Sequence, residues 1–100
     1  MKIINLTPHT INISDLVIPS SGIARAKQES KQVDTIDGIP VYNTVYGEVE
    51  NLPEPQDGVI YVVSALTAQA VPDRKDVYIT FGAVRDEAGK IIGCTGLAHI

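Results

Sequence analysis

Apolar positions in this chain fall in short runs between turn residues, and where they alternate with polar ones the period is two. The stretch from Ile39 to Glu50 shows this best. Ile39, Val41, Val45 and Val49 share one face, and Tyr42, Thr44, Tyr46, Glu48 and Glu50 share the other. Gly47 inside that run predicts a bulge or a close backbone approach. Val59 to Val63 is apolar throughout, as in a central strand covered on both sides. Lys2 to Leu6 and Thr10 to Ser14 predict a first pair of strands around Thr7-Pro8-His9. Ile23 to Gln28 predicts another strand after Gly22, with Arg25 and Lys27 on its solvent side. Val77, Ile79 and Phe81 alternate into a further strand. Ala83 to Asp86 and Lys90 to Cys94 predict a closing hairpin over Glu87-Ala88-Gly89.

One segment breaks the pattern. Ser64 is an N-cap for a short helix over 65–71, rich in Ala and Leu and ended by Pro72. Its position directly after Val63 resembles half of a βαβ unit, so a mixed sheet is open. Turn signals at Pro19 to Gly22, Asp37-Gly38, Pro53 to Gly58 and Pro72-Asp73 separate the rest. The fold expected is α+β, mostly β: a compact small mixed-sheet, barrel-like domain with one short helix at about 65–71. Residues 1–100 are expected to form a single domain.

Composition sharpens this. Ile and Val number 24 against five Leu, and branching at Cβ suits a pleated surface better than a helix. A net charge of −4, with no Lys/Arg run beyond Arg74-Lys75, opposes non-specific nucleic-acid binding. The longest apolar run is too short to span a bilayer, and no leader pattern opens the chain, so no membrane partner is expected and a cytoplasmic location is. One cysteine, Cys94, excludes an internal disulfide and a cysteine-built zinc site.

Candidate chemistry is sparse. His9 and His99 lack metal-ligand spacing, so neither a metal nor a cofactor is expected. Cys94 lies in an apolar strand, where a buried inert thiol is the ordinary outcome. Ser64 lacks the flanking glycines of an esterase nucleophile elbow. Neither phosphate-loop fingerprint is present. No catalytic residue is therefore assigned, and the candidates are binding residues. Arg74 and Arg85 suit phosphate, although Asp73, Asp76 and Asp86 beside them offer surface ion pairs instead. Tyr42 and Tyr46, about 13 Å apart on a strand, can stack on a base, line an interface or pack under a second layer. Thr7, His9, Ser64 and Gln69 supply neutral hydrogen bonds, with Thr7 equally suited to bonding its own turn.

Several strings resemble a family of small phage, prophage and bacterial proteins: Asn5-Leu6-Thr7-Pro8-His9, Ile39-Pro40-Val41, Val45-Tyr46-Gly47-Glu48-Val49, the block Tyr61 to Tyr78, and Val84 to Cys94. The resemblance covers nearly the whole chain and carries no established reaction. It implies a phage setting, in the cytoplasm of an infected or lysogenic host. By analogy with compact β-rich sponges, it implies a homo-oligomer that sequesters a nucleotide-derived immune signal, a cyclic nucleotide or an ADP-ribose-like molecule. Two alternatives stand beside that one. The chain is a protein–protein inhibitor or phage accessory module, or it is a small nucleotide hydrolase or lyase with His9 as acid or base and Glu48 or Asp76 as partner.

Overall fold

The computed structural model describes residues 1–100, with the side chain of Tyr46 outside the described set. The all-apolar segment becomes β6 (Val59–Val62), which lies between β1 (Lys2–Asn5) and β7 (Val77–Arg85) and runs parallel to both. Parallel neighbours need a crossover. Between β6 and β7 it is α1 (Ala65–Gln69), so the half-βαβ signal is a whole unit. Ser64 caps α1 in an extended conformation, its Oγ accepting from the Thr67 N–H. The helix is shorter than expected at its end. Ala70 and Val71 donate to the carbonyls three residues back, a tightened last turn that Pro72 does not extend.

β8 (Ile91–Ala98) pairs antiparallel with β7, and β2 (Ile11–Ile13) pairs parallel with β8 and antiparallel with β3 (Leu16–Ile18). The resulting order is β1-β6-β7-β8-β2-β3. Close packing of β8 on β2 depends on Gly93, where an added Cβ would stand 2.8 Å from the Asn12 carbonyl oxygen. A parallel bridge between Asn5 and Ser20 draws the two outer strands together, so the sheet is a nearly closed barrel. The Asn5 side chain makes that seam. Fully buried, its Nδ2 donates to the carbonyls of His9 (2.8 Å) and Ile18 (2.9 Å), and its Oδ1 accepts from the Thr7 N–H (2.9 Å) and hydroxyl (2.6 Å).

Two apolar clusters follow from the alternation along β6. Val62 points into a cluster with Ile11 and Cys94, joined by Ile3, Ile13, Ile18, Tyr78 and Leu97. Every one of the six strands contributes to it, which makes it the barrel interior. Tyr61 and Val63 point the other way, to an outer cluster with Leu6, Ala24, Ala68 and Val77, roofed by α1 and by Val49 and Leu52.

The remaining strands, β4 (Arg25–Ile36) and β5 (Ile39–Glu50), form a separate two-stranded ribbon. Asp37 and Gly38 turn it with φ of 51° and 78°, both in the left-handed region that a two-residue hairpin loop requires. The expected strand from Ile23 to Gln28 runs on to Ile36. Its outer half shows no alternation because nearly all its residues are polar, the apolar row of the ribbon being supplied by β5. The register shifts between Ala26 and Gln28, opposite the Gly47 region, and again between Gln32 and Asp34. β3, and the extension of β8 to Ala98, are likewise absent from the sequence reading.

The ribbon sets the dimensions. The chain measures 53 × 39 × 20 Å, with a radius of gyration of 16.5 Å against about 13 Å for a compact 100-residue domain. No helix is long and apolar enough to cross a membrane.

Candidate functional site

The binding candidates scatter over the surface. Thr7 and His9 share the β1–β2 loop, where the Thr7 hydroxyl and the His9 carbonyl are held by Asn5. Thr7 thus serves the seam, and the His9 ring is exposed. Ser64 and Gln69 lie on exposed positions at the two ends of α1. Tyr42 is exposed on the ribbon, and the Tyr46 side chain lies outside the described residues. Glu48 is exposed on the ribbon as well, Asp76 is engaged by Arg74, and among the described residues no hydrogen bond or ion pair joins the His9 ring to either.

Arg74 lies in the turns before β7 and Arg85 at its far end, with a strand of roughly 26 Å between, and they do not converge on one ligand within one copy. Each has an internal partner. Arg74 forks onto Asp76, Nε to Oδ1 and Nη2 to Oδ2 at 2.8 Å each, and Nη2 also reaches the Pro53 carbonyl at 2.9 Å. That two-pronged bond holds the Asp76 carboxyl below its ordinary value and raises the guanidinium further above its own. Arg85 donates to the Gly89 carbonyl at 2.8 Å and steadies the β7–β8 turn, while Asp86 accepts from the Ala88 and Lys90 N–H groups. The expected pairing of loop cations with carboxylates is therefore found at Arg74, with Asp76, and replaced at Arg85 by a carbonyl.

A cleft of about 380 Å³ opens where the ribbon leaves the barrel, lined by Arg25, Ala26, Gln28, Ser64, Leu66 and Thr67. Its geometry comes from one buried latch. The Thr67 hydroxyl, 2.9 Å from Ser64 Oγ, donates to the Ala24 carbonyl at 3.2 Å and ties α1 to the root of β4. Arg25 brings a guanidinium with no ion pair among the described residues, since its cross-strand neighbour Glu50 pairs with Lys27 at 3.4 Å. A second hollow of about 290 Å³ lies beyond the helix, lined by Val71, Pro72, Arg74, Lys75, Val77 and His99 among others. His99 stacks on Tyr78 there with ring centroids 4.2 Å apart.

Ser64 is thus the one sequence candidate that lines the first cleft, and Arg74 the one that lines the second. Arg25 and Gln28 were missed as site residues. They read only as the polar side of a strand, and no local signal announces that a helix start 40 residues later folds against them. Cys94 is buried in the barrel interior, as its apolar strand implies.

Comparison of the chain with protein-family models, with curated proteins and with solved structures found no match.

Proposed function

We propose that this chain is a phage-type, non-catalytic binding protein that sequesters a nucleotide-derived immune signal in the host cytoplasm, working as a homo-oligomer. One observation carries the reading: the cleft at the ribbon root is lined by Arg25, which has no ion pair among the described residues, together with Gln28, Ser64 and the apolar Leu66. A guanidinium fork suits a phosphate, and neutral donors and acceptors suit a ribose or a base edge. At about 380 Å³ the cleft stands near the small end of ligand pockets. A cyclic dinucleotide or an ADP-ribose derivative needs walls from a neighbouring copy.

The test is capture and release. Each signal of a nucleotide panel is mixed with purified protein, filtered, and recovered by heating the retained fraction. A signal that disappears from the filtrate and returns intact supports sequestration. A signal returned in altered form makes the chain an enzyme, and passage of every signal overturns the reading.

A second reading, a protein–protein inhibitor or accessory module, is favoured by the β7–β8 hairpin. Phe81, Ile91 and Ile92 are each at least half exposed there. A stoichiometric host protein recovered with the wild-type chain, and lost with Phe81→Glu, would establish it.

A further inference from the structure

The register of the ribbon sorts its side chains into two faces. Pairings Glu29 with Val45, Lys31 with Asn43, Asp34 with Val41 and Ile36 with Ile39 put these eight on one face. That face has two rows. The β5 row is Ile39, Val41, Asn43 and Val45; the β4 row is Glu29, Lys31, Asp34 and Ile36. Among the described residues it is largely open: Ile36, Ile39 and Val45 are each 57–65% exposed, and Val41 is partly buried. A two-stranded ribbon without a layer against it is marginal in water.

The surface area states the same deficit. The chain exposes 7087 Å², whereas a compact monomer of 10.7 kDa exposes about 5,500 Å². The excess of about 1,600 Å² is twice the roughly 800 Å² per partner that a standard stable interface takes up.

We infer that the Ile36/Ile39/Val41/Val45 face of the ribbon is covered by the same face of a second copy of this chain, the two ribbons running antiparallel about a two-fold axis. The row structure selects this partner and this direction. With the axis across the strands, the apolar β5 row lies on its own image. With the axis midway between the Lys31–Asn43 and Asp34–Val41 pairs, the middle of the face, the β4 row also meets its image reversed, so Lys31 of one copy faces Asp34 of the other while Glu29 faces Ile36. With the axis along the strands, apolar residues would lie on charges. Edge-to-edge pairing is disfavoured instead, because the register irregularities beside Ala26 and Gln32 interrupt the ladder. The inference rests on the assembly part of the reading above, names its contact, and is separate from the ligand.

The test is molar mass by light scattering on the full chain across a dilution series, with far-UV circular dichroism as the check on folding. Wild type is expected at twice the chain mass or a multiple of it. Val45→Lys and Lys31→Glu are each expected to weaken self-association at least tenfold with the spectrum unchanged. Asp34→Lys added to Lys31→Glu, which exchanges the charges of each cross-copy pair, is expected to recover it. A wild-type chain that stays monomeric, a Val45→Lys chain that assembles as wild type does, or a charge-exchanged double variant that fails to recover would each overturn the contact. A different protein bound to this face of a monomer overturns it as well. A monomeric Val45→Lys chain that still retains a nucleotide separates the two proposals, because it supports this contact and leaves the ligand reading standing without the assembly.

Discussion

Arg74 and Asp76, two residues apart on the approach to β7, are locked by two parallel hydrogen bonds of 2.8 Å. Both side chains are largely shielded, at 22% and 15% exposure, so solvent weakens the pair less than it would at the open surface. With a third bond to the Pro53 carbonyl, the fork also fixes the 53–58 loop against the start of β7.

A pH dependence follows from that fork. The Asp76 pKa is depressed in the folded chain, so its stabilising contribution is complete above the ordinary carboxylate value of 3.8 and is lost as pH falls through the lower folded value. Urea unfolding followed from pH 7 to pH 2 should show stability falling below about pH 4. Asp76→Asn should be less stable at pH 7 by about 1–3 kcal/mol and show a flatter acid limb.

Asn5 should be among the least replaceable residues. Asn5→Ala strands two carbonyls and an N–H in the seam, with an expected loss of about 3 kcal/mol in denaturant unfolding. Asn5→Asp should do no better, because it keeps the acceptor for Thr7 and removes the donor for His9 and Ile18.

Tyr61 gives the opposite expectation. Its hydroxyl is fully buried without a hydrogen-bond partner among the described residues, while its ring packs in the outer cluster. Tyr61→Phe keeps the packing and removes the orphan group, so the thermal midpoint should stay level or rise, by up to about 1 kcal/mol in stability. A fall of more than that would mean the hydroxyl is bonded in solution.

For the cleft, Arg25→Ala should weaken nucleotide retention at least tenfold, or about 1.4 kcal/mol, with unchanged unfolding. Arg74→Ala should instead lower stability first, since its fork is engaged within the chain. Equilibrium dialysis beside thermal melts separates the two effects.

Legibility in the sequence tracked burial. Val59 to Val63, the Ser64 cap and the Asp37-Gly38 turn were readable because a core or a backbone angle constrains each of them locally. Arg25 to Ile36 gave half its length, since its outer half is largely polar on both faces and the apolar row of the ribbon comes from β5. Leu16 to Ile18 was missed because three residues are too few to show one. Thr7 reads as suited to bonding its own turn, and the structure contains that bonding, with Asn5 as its partner. The longer reach of Asn5, across to Ile18, depends on barrel closure and leaves no trace in the adjacent residues. The site suffers most from this, because Arg25 and Ser64 meet only through the Thr67–Ala24 latch.

Arg25 and Glu50 are cross-strand partners, so the chain leaves the barrel and returns to it at nearly one point. In modular terms the ribbon is an insert whose two ends are already joined. Its length can therefore change by paired residues, one from each strand, without altering the path of the chain between β3 and β6. The reach of the arm and the integrity of the barrel are thereby separate variables, and evolution or an engineer can tune the first at little cost to the second.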